Sequence, residues 1–441
     1  MKRIDSIRLR GLKTEYPIWG ILLVAVLLML SPFTTSLLSY VAFVICLYRI
    51  VRYDEKVFTA DYCLLIPFTF LFQTPSGMSL VVWLCLAAAA WYFVRGQIVG
   101  NSVLVFLLLL LNYMILRMQM NINDFVLCLG QLFVFYILLP QQDSQSAEWA
   151  IKVFCWSMIL SSVYALVFRS THYLNVVIGY EDEAIWGSGI KRFQGLFRDT
   201  NYYMALLTVG LALLCKLKEA GRLHPVSFWV QSAALAAFGV LTYSKTFFLM
   251  LVLLVCTYII WQFWNKKIFR GVFFTALIMV AALYILSAED SPFAVVIERL
   301  TSSSNLSDLT TNRSDLFVAY WKAITDNVLT LLFGYGFNAP LLQSMGTHNL
   351  YLEITYYAGL VGLVLIVGFC VAMVRWIAQR TYGFQKQNFI AKYVALLVAV
   401  GVYCSLQGMF LLPSYATFFL GLLSLHIVKK EKTEKAAEFT A

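Results

Sequence analysis

GTHNLYLEITYYAGLVGLVLIVGFCVAMVR, residues 346–375, opens with a polar mouth and then runs apolar from residue 350 to residue 375. A helix needs about 20 predominantly apolar residues to cross a hydrocarbon layer, so this run predicts a membrane span. His348 and Asn349 stand immediately before it, in a chain with only four histidines. A histidine so placed is either part of the helix cap or a proton-transfer group at the membrane surface.

Outward from that run the same pattern repeats. Hydrophobic residues make up 61% of the 441-residue chain and charged residues 13%, and the mean hydropathy is +0.77, which excludes a soluble domain. Apolar runs lie near 15–31, 35–51, 61–74, 79–94, 101–117, 123–139, 150–168, 199–215, 225–243, 246–264, 269–287, 350–375, 390–409 and 411–428. The third is short, and a Pro-containing turn alone separates the last two. The expectation is an all-α polytopic membrane protein of about 12–14 transmembrane helices.

Cytoplasmic loops collect Lys and Arg, which gives the order of these runs an orientation. With the N-terminus inside, as MKRIDSIRLRGLK suggests, Arg49, Arg52 and Lys56, then Arg95, Lys216, Lys218, Arg222, Lys266, Lys267, Arg270, Arg375, Arg380, Lys386 and Lys429 all fall on one side. The first run has no small-residue cleavage site and reads as a retained span. The layout is then a cytoplasmic N-terminus (1–14), N-terminal spans (15–168), an extracytoplasmic loop (169–198), central spans (199–287), a large extracytoplasmic loop with an amphipathic helix (288–349), C-terminal spans (350–428) and a cytoplasmic tail (429–441). The net charge of +10 follows from the loop bias and implies no nucleic-acid partner. Nearly all of the nine cysteines sit within apolar runs, without CxxC spacing, which argues against disulfide and zinc frameworks.

Cations on the outer face defy the orientation bias and need another reason to be there. An anionic substrate supplies one, because guanidinium groups bond phosphate oxygens in pairs. In IKRFQGLFRDTNYYMALL (190–207), Arg192 and Arg198 precede Asp199 and Asn201 at the start of a span. Asp199 or Thr200 suits the helix cap, which leaves both arginines unexplained, since cations are disfavoured at a helix N-terminus. In LTYSKTFFLML (241–251), Ser244, Lys245 and Thr246 form a tight outer turn, where the lysine either snorkels to lipid or meets a substrate phosphate. In TTNRSDLFVAYWKAITDN (310–327), Leu316, Phe317, Tyr320, Trp321 and Ile324 recur at helical spacing and define one apolar face. Thr311 or Asn312 would cap that helix, so Arg313 falls in its first turn, beside unpaired amides suited to an anion. The glycines of LLFGYGFNAP (331–340) read as tight turns. Of the histidines, only His348 combines the outer face with a helix mouth and nearby cations, and no pair has metal-ligand spacing. Asn349 suits the cap of the helix that follows. Glu181, Asp182 and Glu183 read as a solvated acidic loop.

These four segments, in this order, resemble the O-antigen ligase and O-antigen polymerase superfamily of bacterial polysaccharide assembly, over about residues 190–365. The resemblance implies a GT-C-like glycosyltransferase fold with an external loop over the site. It implies a metal-independent, inverting transfer of an oligosaccharide from undecaprenyl diphosphate to a sugar hydroxyl, with no cofactor. By matching position, Arg192, Lys245 and Arg313 would hold the diphosphate, with Arg198 as a further candidate, and His348 would orient or deprotonate the acceptor. Asn201, Tyr202, Asn349, Tyr351 and Glu353 are the expected sugar or lipid contacts. Lys245 departs from the family pattern, which usually has arginine there, and so loses the planar fork. The implied partners are the lipid-linked donor, a glycan acceptor, membrane lipid, and a chain-length regulator and flippase of the same pathway. The implied location is the bacterial cytoplasmic membrane, with both termini inside and the active site outside.

The chemistry agrees with that expectation. Diphosphate is already a good leaving group, so fixed cations, positioning and one base suffice, without paired carboxylates. A ligase acting on a lipid or protein acceptor would use the same residues. A transporter would be expected to show internal repeats, or broken helices with ionisable residues at mid-membrane.

Overall fold

The computed structural model describes residues 18–96, 101–117, 119–174, 176–180, 191–264, 266, 272, 313–340, 342, 346–382, 389–406 and 411–429. Every predicted apolar run within them falls on helix. The N-terminal helices are α1 (Ile18–Leu30), α2 (Leu37–Arg52), α3 (Glu55–Leu65), α4 (Leu80–Val94), α5 (Ser102–Leu116), α6 (Ile122–Leu138) and α7 (Ser144–Val167). Four short strands follow: β1 (His172–Tyr173), β2 (Val176–Val177), β3 (Gly179–Tyr180) and β4 (Phe193–Gly195). Then come α8 (Thr200–Glu219), α9 (Pro225–Val240), α10 (Lys245–Trp264), α11 (Arg313–Thr325), α12 (Val328–Phe333), α13 (Leu350–Tyr382), α14 (Phe389–Gly401) and α15 (Leu412–Leu423). The predicted run at 269–287, the proposed caps Thr311 and Asn312, and the acidic stretch 181–183 lie outside the described residues.

By length and composition, four helical stretches can cross a membrane: Asp124–Gln141, Ser144–Val167, Thr200–Glu219 and Leu350–Thr381. Six shorter apolar helices accompany them. Helix α8 is 94% buried over its apolar window, whereas α13 is only 33% buried. Helix α8 is the least apolar of the four and buries Thr200, Asn201, Thr208 and Lys216, and it is enclosed by α7, α9, α10, α14 and α15. Helix α13 instead turns much of its apolar surface outward, as a lipid-facing helix does.

Local signals set the boundaries. Side-chain oxygens of Asp54, Asn101, Asn121, Asp143, Asp199 and Asn327 accept backbone N–H groups at the starts of α3, α5, α6, α7, α8 and α12. At α7, Asp143 and Ser146 cap each other reciprocally.

The structure corrects the sequence reading in four places. The helix over the third predicted run begins at Glu55 and not at residue 61, and Asp61 lies inside it, bonded to Arg49 through Nε at 2.7 Å and Nη2 at 2.8 Å. Arg49 is therefore an interior residue, 5% exposed, and not a loop cation. The 169–198 connection is partly strand, with β1 antiparallel to β2 and β3 antiparallel to β4. On α11 the predicted apolar face divides: Leu316, Tyr320 and Ile324 are buried, while Phe317 and Trp321 stack on each other at the surface. Finally, α13 is broken at Gly359, whose φ of 65° and ψ of −173° interrupt the helix.

Candidate active site

The site is assembled from four chain segments. Strand β4 lies against the α9–α10 turn: the Phe193 N–H donates to the Leu241 carbonyl at 3.0 Å, and Arg192 Nε donates to the Thr242 carbonyl at 3.1 Å. That turn is tight, with Tyr243 at φ 47°, and Ser244 Oγ accepts the Phe247 N–H at 3.4 Å. Lys245 is the first residue of α10, so it follows directly on the turn that Arg192 holds.

Four residues beyond β4, Asp199 caps α8 by accepting the Asn201 N–H at 2.6 Å. Asn201 and Tyr202 are buried in the first turn of that helix. Arg313 opens α11, which is anchored through Leu316, Tyr320 and Ile324. The Tyr320 ring meets Tyr356 of α13 edge-on at 4.9 Å.

His348 stands at φ 47°, a left-handed conformation that side chains rarely adopt. Its neighbours hold it there. The Thr347 hydroxyl donates to the Asn349 carbonyl at 2.9 Å, and Asn349 Oδ1 accepts the Leu352 N–H at 3.1 Å, so Asn349 is the cap of α13. The helix start is therefore satisfied without the imidazole. His348 Nδ1 is sealed from solvent with no hydrogen-bond partner among the described residues.

The electrostatics join these segments. Burial, then the charge of Arg313, then that of Arg192, hold the His348 imidazole down to about 4, against an ordinary value of 6.5. Arg313 in turn lies below the usual arginine range through burial, with Asp199 opposing the shift and Arg192 adding to it. Arg192, Arg313, Asp199 and His348 thus form one coupled group. Glu353, buried one turn into α13, acts electrostatically on Tyr202 and Tyr320 from the same side.

Two candidates are directed elsewhere. Arg198 is exposed, donates to Gln73 Oε1 at 3.2 Å and lies over the Phe70 ring at 5.4 Å. The Tyr351 hydroxyl donates to the Val400 carbonyl at 2.6 Å, and its ring lines an apolar cavity of about 270 Å³ between α5, α6, α13, α14 and α15. Sequence reasoning passed over Tyr113, which ties α12 to the His348 helix, and read Tyr320, which ties α11 to it, only as part of an apolar face. Tyr113 is one tyrosine in an aromatic-rich chain, and nothing local distinguishes it. Among the described residues no cluster of three or more His, Cys, Asp or Glu side chains could hold a metal.

Residues 231–367 match the family model described as O-antigen ligase. The match takes in Lys245, Arg313 and His348, and its support for the O-antigen ligase and polymerase superfamily agrees with the resemblance read from the sequence. No curated protein matches the chain.

Proposed function

We propose that this chain, a membrane enzyme of the O-antigen ligase and polymerase type, is a polysaccharide polymerase that joins undecaprenyl-diphosphate-linked oligosaccharides at the outer face of the cytoplasmic membrane. The observation that carries the reading is a buried imidazole at a helix mouth whose Nδ1 has no hydrogen-bond partner among the described residues, within electrostatic reach of Arg313 and Arg192. In this reading Arg192 and Arg313 hold the donor diphosphate, with Lys245 beside the turn, and Asn201, Tyr202, Glu353 and the amide end of Asn349 are the groups offered to the sugars. Tyr351 faces the apolar side, where it would meet lipid.

In the step itself, the acceptor hydroxyl donates its proton to His348 while its oxygen attacks the anomeric carbon from the side opposite the diphosphate. The bond from that carbon to the diphosphate oxygen breaks, and its electron pair leaves with undecaprenyl diphosphate. The configuration inverts, and His348 returns the proton to water. The arginines stabilise charge that grows on the leaving group, which is where fixed cations lower a barrier most. No metal is required in this scheme.

The test uses purified protein in lipid nanodiscs with lipid-diphosphate repeat units. Glycan should lengthen and undecaprenyl diphosphate should be released, EDTA should have no effect, and His348→Ala should keep donor affinity while losing at least about 100-fold in kcat. Full turnover by that variant removes His348 from the chemistry. Transfer of the glycan once to a lipid or protein acceptor, without elongation, makes the chain a ligase, the second reading, which the description of the matched family favours. Movement of the lipid-linked glycan across the bilayer with no bond formed makes it a transporter.

A further inference from the structure

The break in α13 is a crossing of two backbones. Gly334 ends α12 at φ 70°, and Gly359 interrupts α13 at φ 65°. A Cβ on Gly334 would collide with the Tyr357 carbonyl, and one on Gly359 with the Leu332 carbonyl and the Gly334 amide. Only glycine permits both the approach and the positive φ at both positions.

Breaking the helix frees carbonyls that must find donors within an apolar environment. The loop supplies two of them: the Tyr335 N–H bonds the Tyr356 carbonyl at 2.9 Å, and the Gly336 N–H bonds the Tyr357 carbonyl at 3.0 Å. The third donor comes from a different helix. Tyr113, near the end of α5, donates to the Ala358 carbonyl at 2.6 Å and lies 3.3 Å from the Phe333 carbonyl. The Arg117 guanidinium lies over the Phe333 ring at 5.4 Å.

From this crossing two arms run to the site. One is α12 and α11, leading back to Arg313, stiffened by the Tyr335 hydroxyl on the Ala323 carbonyl at 2.9 Å and by the Tyr320–Tyr356 contact. The other is the first part of α13, leading back to His348, with the Tyr356 hydroxyl on the Pro340 carbonyl at 3.0 Å. We infer that the Gly334–Gly359 crossing, locked by Tyr113, is the positioning device that sets Arg313 against His348. Tyr113, Gly334 and Gly359 are then positioning residues, with no contact to substrate. The inference rests on the reading of His348 and Arg313 as partners in one site.

The experiment reads the imidazole directly. The chain has four histidines, so side-chain ring signals of labelled full-length protein in nanodiscs can be assigned by single His replacements and titrated. The groups acting on His348 are Arg313 of α11 and Arg192 beside β4, with Asp199 of the α8 cap acting on Arg313. If the crossing holds Arg313 in place, Tyr113→Phe and Gly359→Ala should raise the His348 midpoint from about 4 towards the ordinary 6.5. The same variants should lower kcat by about 10- to 100-fold, the scale of a small misplacement, with donor KM changing less. Tyr113→Phe keeps the ring and is the variant of choice if Gly359→Ala fails to fold. An unchanged His348 midpoint in folded Tyr113→Phe overturns the inference. Wild-type protein that transfers no glycan, with the midpoint shift still seen, overturns the functional reading and leaves the positioning intact.

Discussion

Burial first, and then the charges of Arg313 and Arg192, oppose the proton of His348 and hold its imidazole down to about 4 in the free protein. Such an imidazole is always available but weakly basic. A donor diphosphate between Arg192 and Arg313 would offset their charges, though not the larger effect of burial, so the base strengthens once the leaving group is in place. The sign can be checked: kcat/KM for donor, which reports the free enzyme, should keep its acid limb near pH 4, while kcat, which reports the donor complex, should lose activity at a higher pH. Coincident limbs would show that the arginines and the donor do not meet. The arginines themselves should separate. Arg192→Ala should raise donor KM by about tenfold or more, as expected for a lost charge-assisted contact, and Arg198→Ala, already engaged by Gln73, by less than about threefold.

Among the elements, α11 states its packing most clearly. Leu316→Ala on the buried face should cost about 2–4 kcal/mol and Phe317→Ala, 46% exposed, much less, measured as thermal stability in one detergent. Equal losses would mean that the stacked Phe317–Trp321 pair is covered by protein. The sequence showed that α11 is amphipathic, but helical spacing cannot separate two adjacent stripes when both are apolar. It also marked His348, Arg192 and Arg313, because cations at the predicted outer ends of apolar runs violate a strong bias. The helix break at Gly359 was not legible. A glycine within an apolar run carries no periodic signal, and the donors that make the break tolerable come from residues 113, 335 and 336. Likewise, the partner of Arg198 lies 125 positions away in the chain.

For the whole molecule, the N-terminal helices show what hydropathy hides. Helices α2 and α3 are absent from the helices apolar enough to count as spans, and each carries one member of the Arg49–Asp61 pair, whose side chains are 5% and 3% exposed. Removing one partner leaves a buried charge, so Arg49→Ala or Asp61→Ala should destabilise by about 3–5 kcal/mol, and the double replacement by clearly less than the sum of the two. Additive losses in thermal unfolding would show that the pair is not coupled. The pair also fixes an order of birth. Helix α3 is an uncomfortable guest in a bilayer alone, since an aspartate near a helix centre costs about 2.5–3.5 kcal/mol on insertion, and its partner Arg49 stands in the last turn of α2. Joined by the short turn at Tyr53 and Asp54, they neutralise each other. Insertion of α3 should therefore lean on an α2 that has already emerged: Arg49→Ala should leave α3 less completely inserted than in the wild type, and equal insertion would show that the pair forms only after both helices are in place.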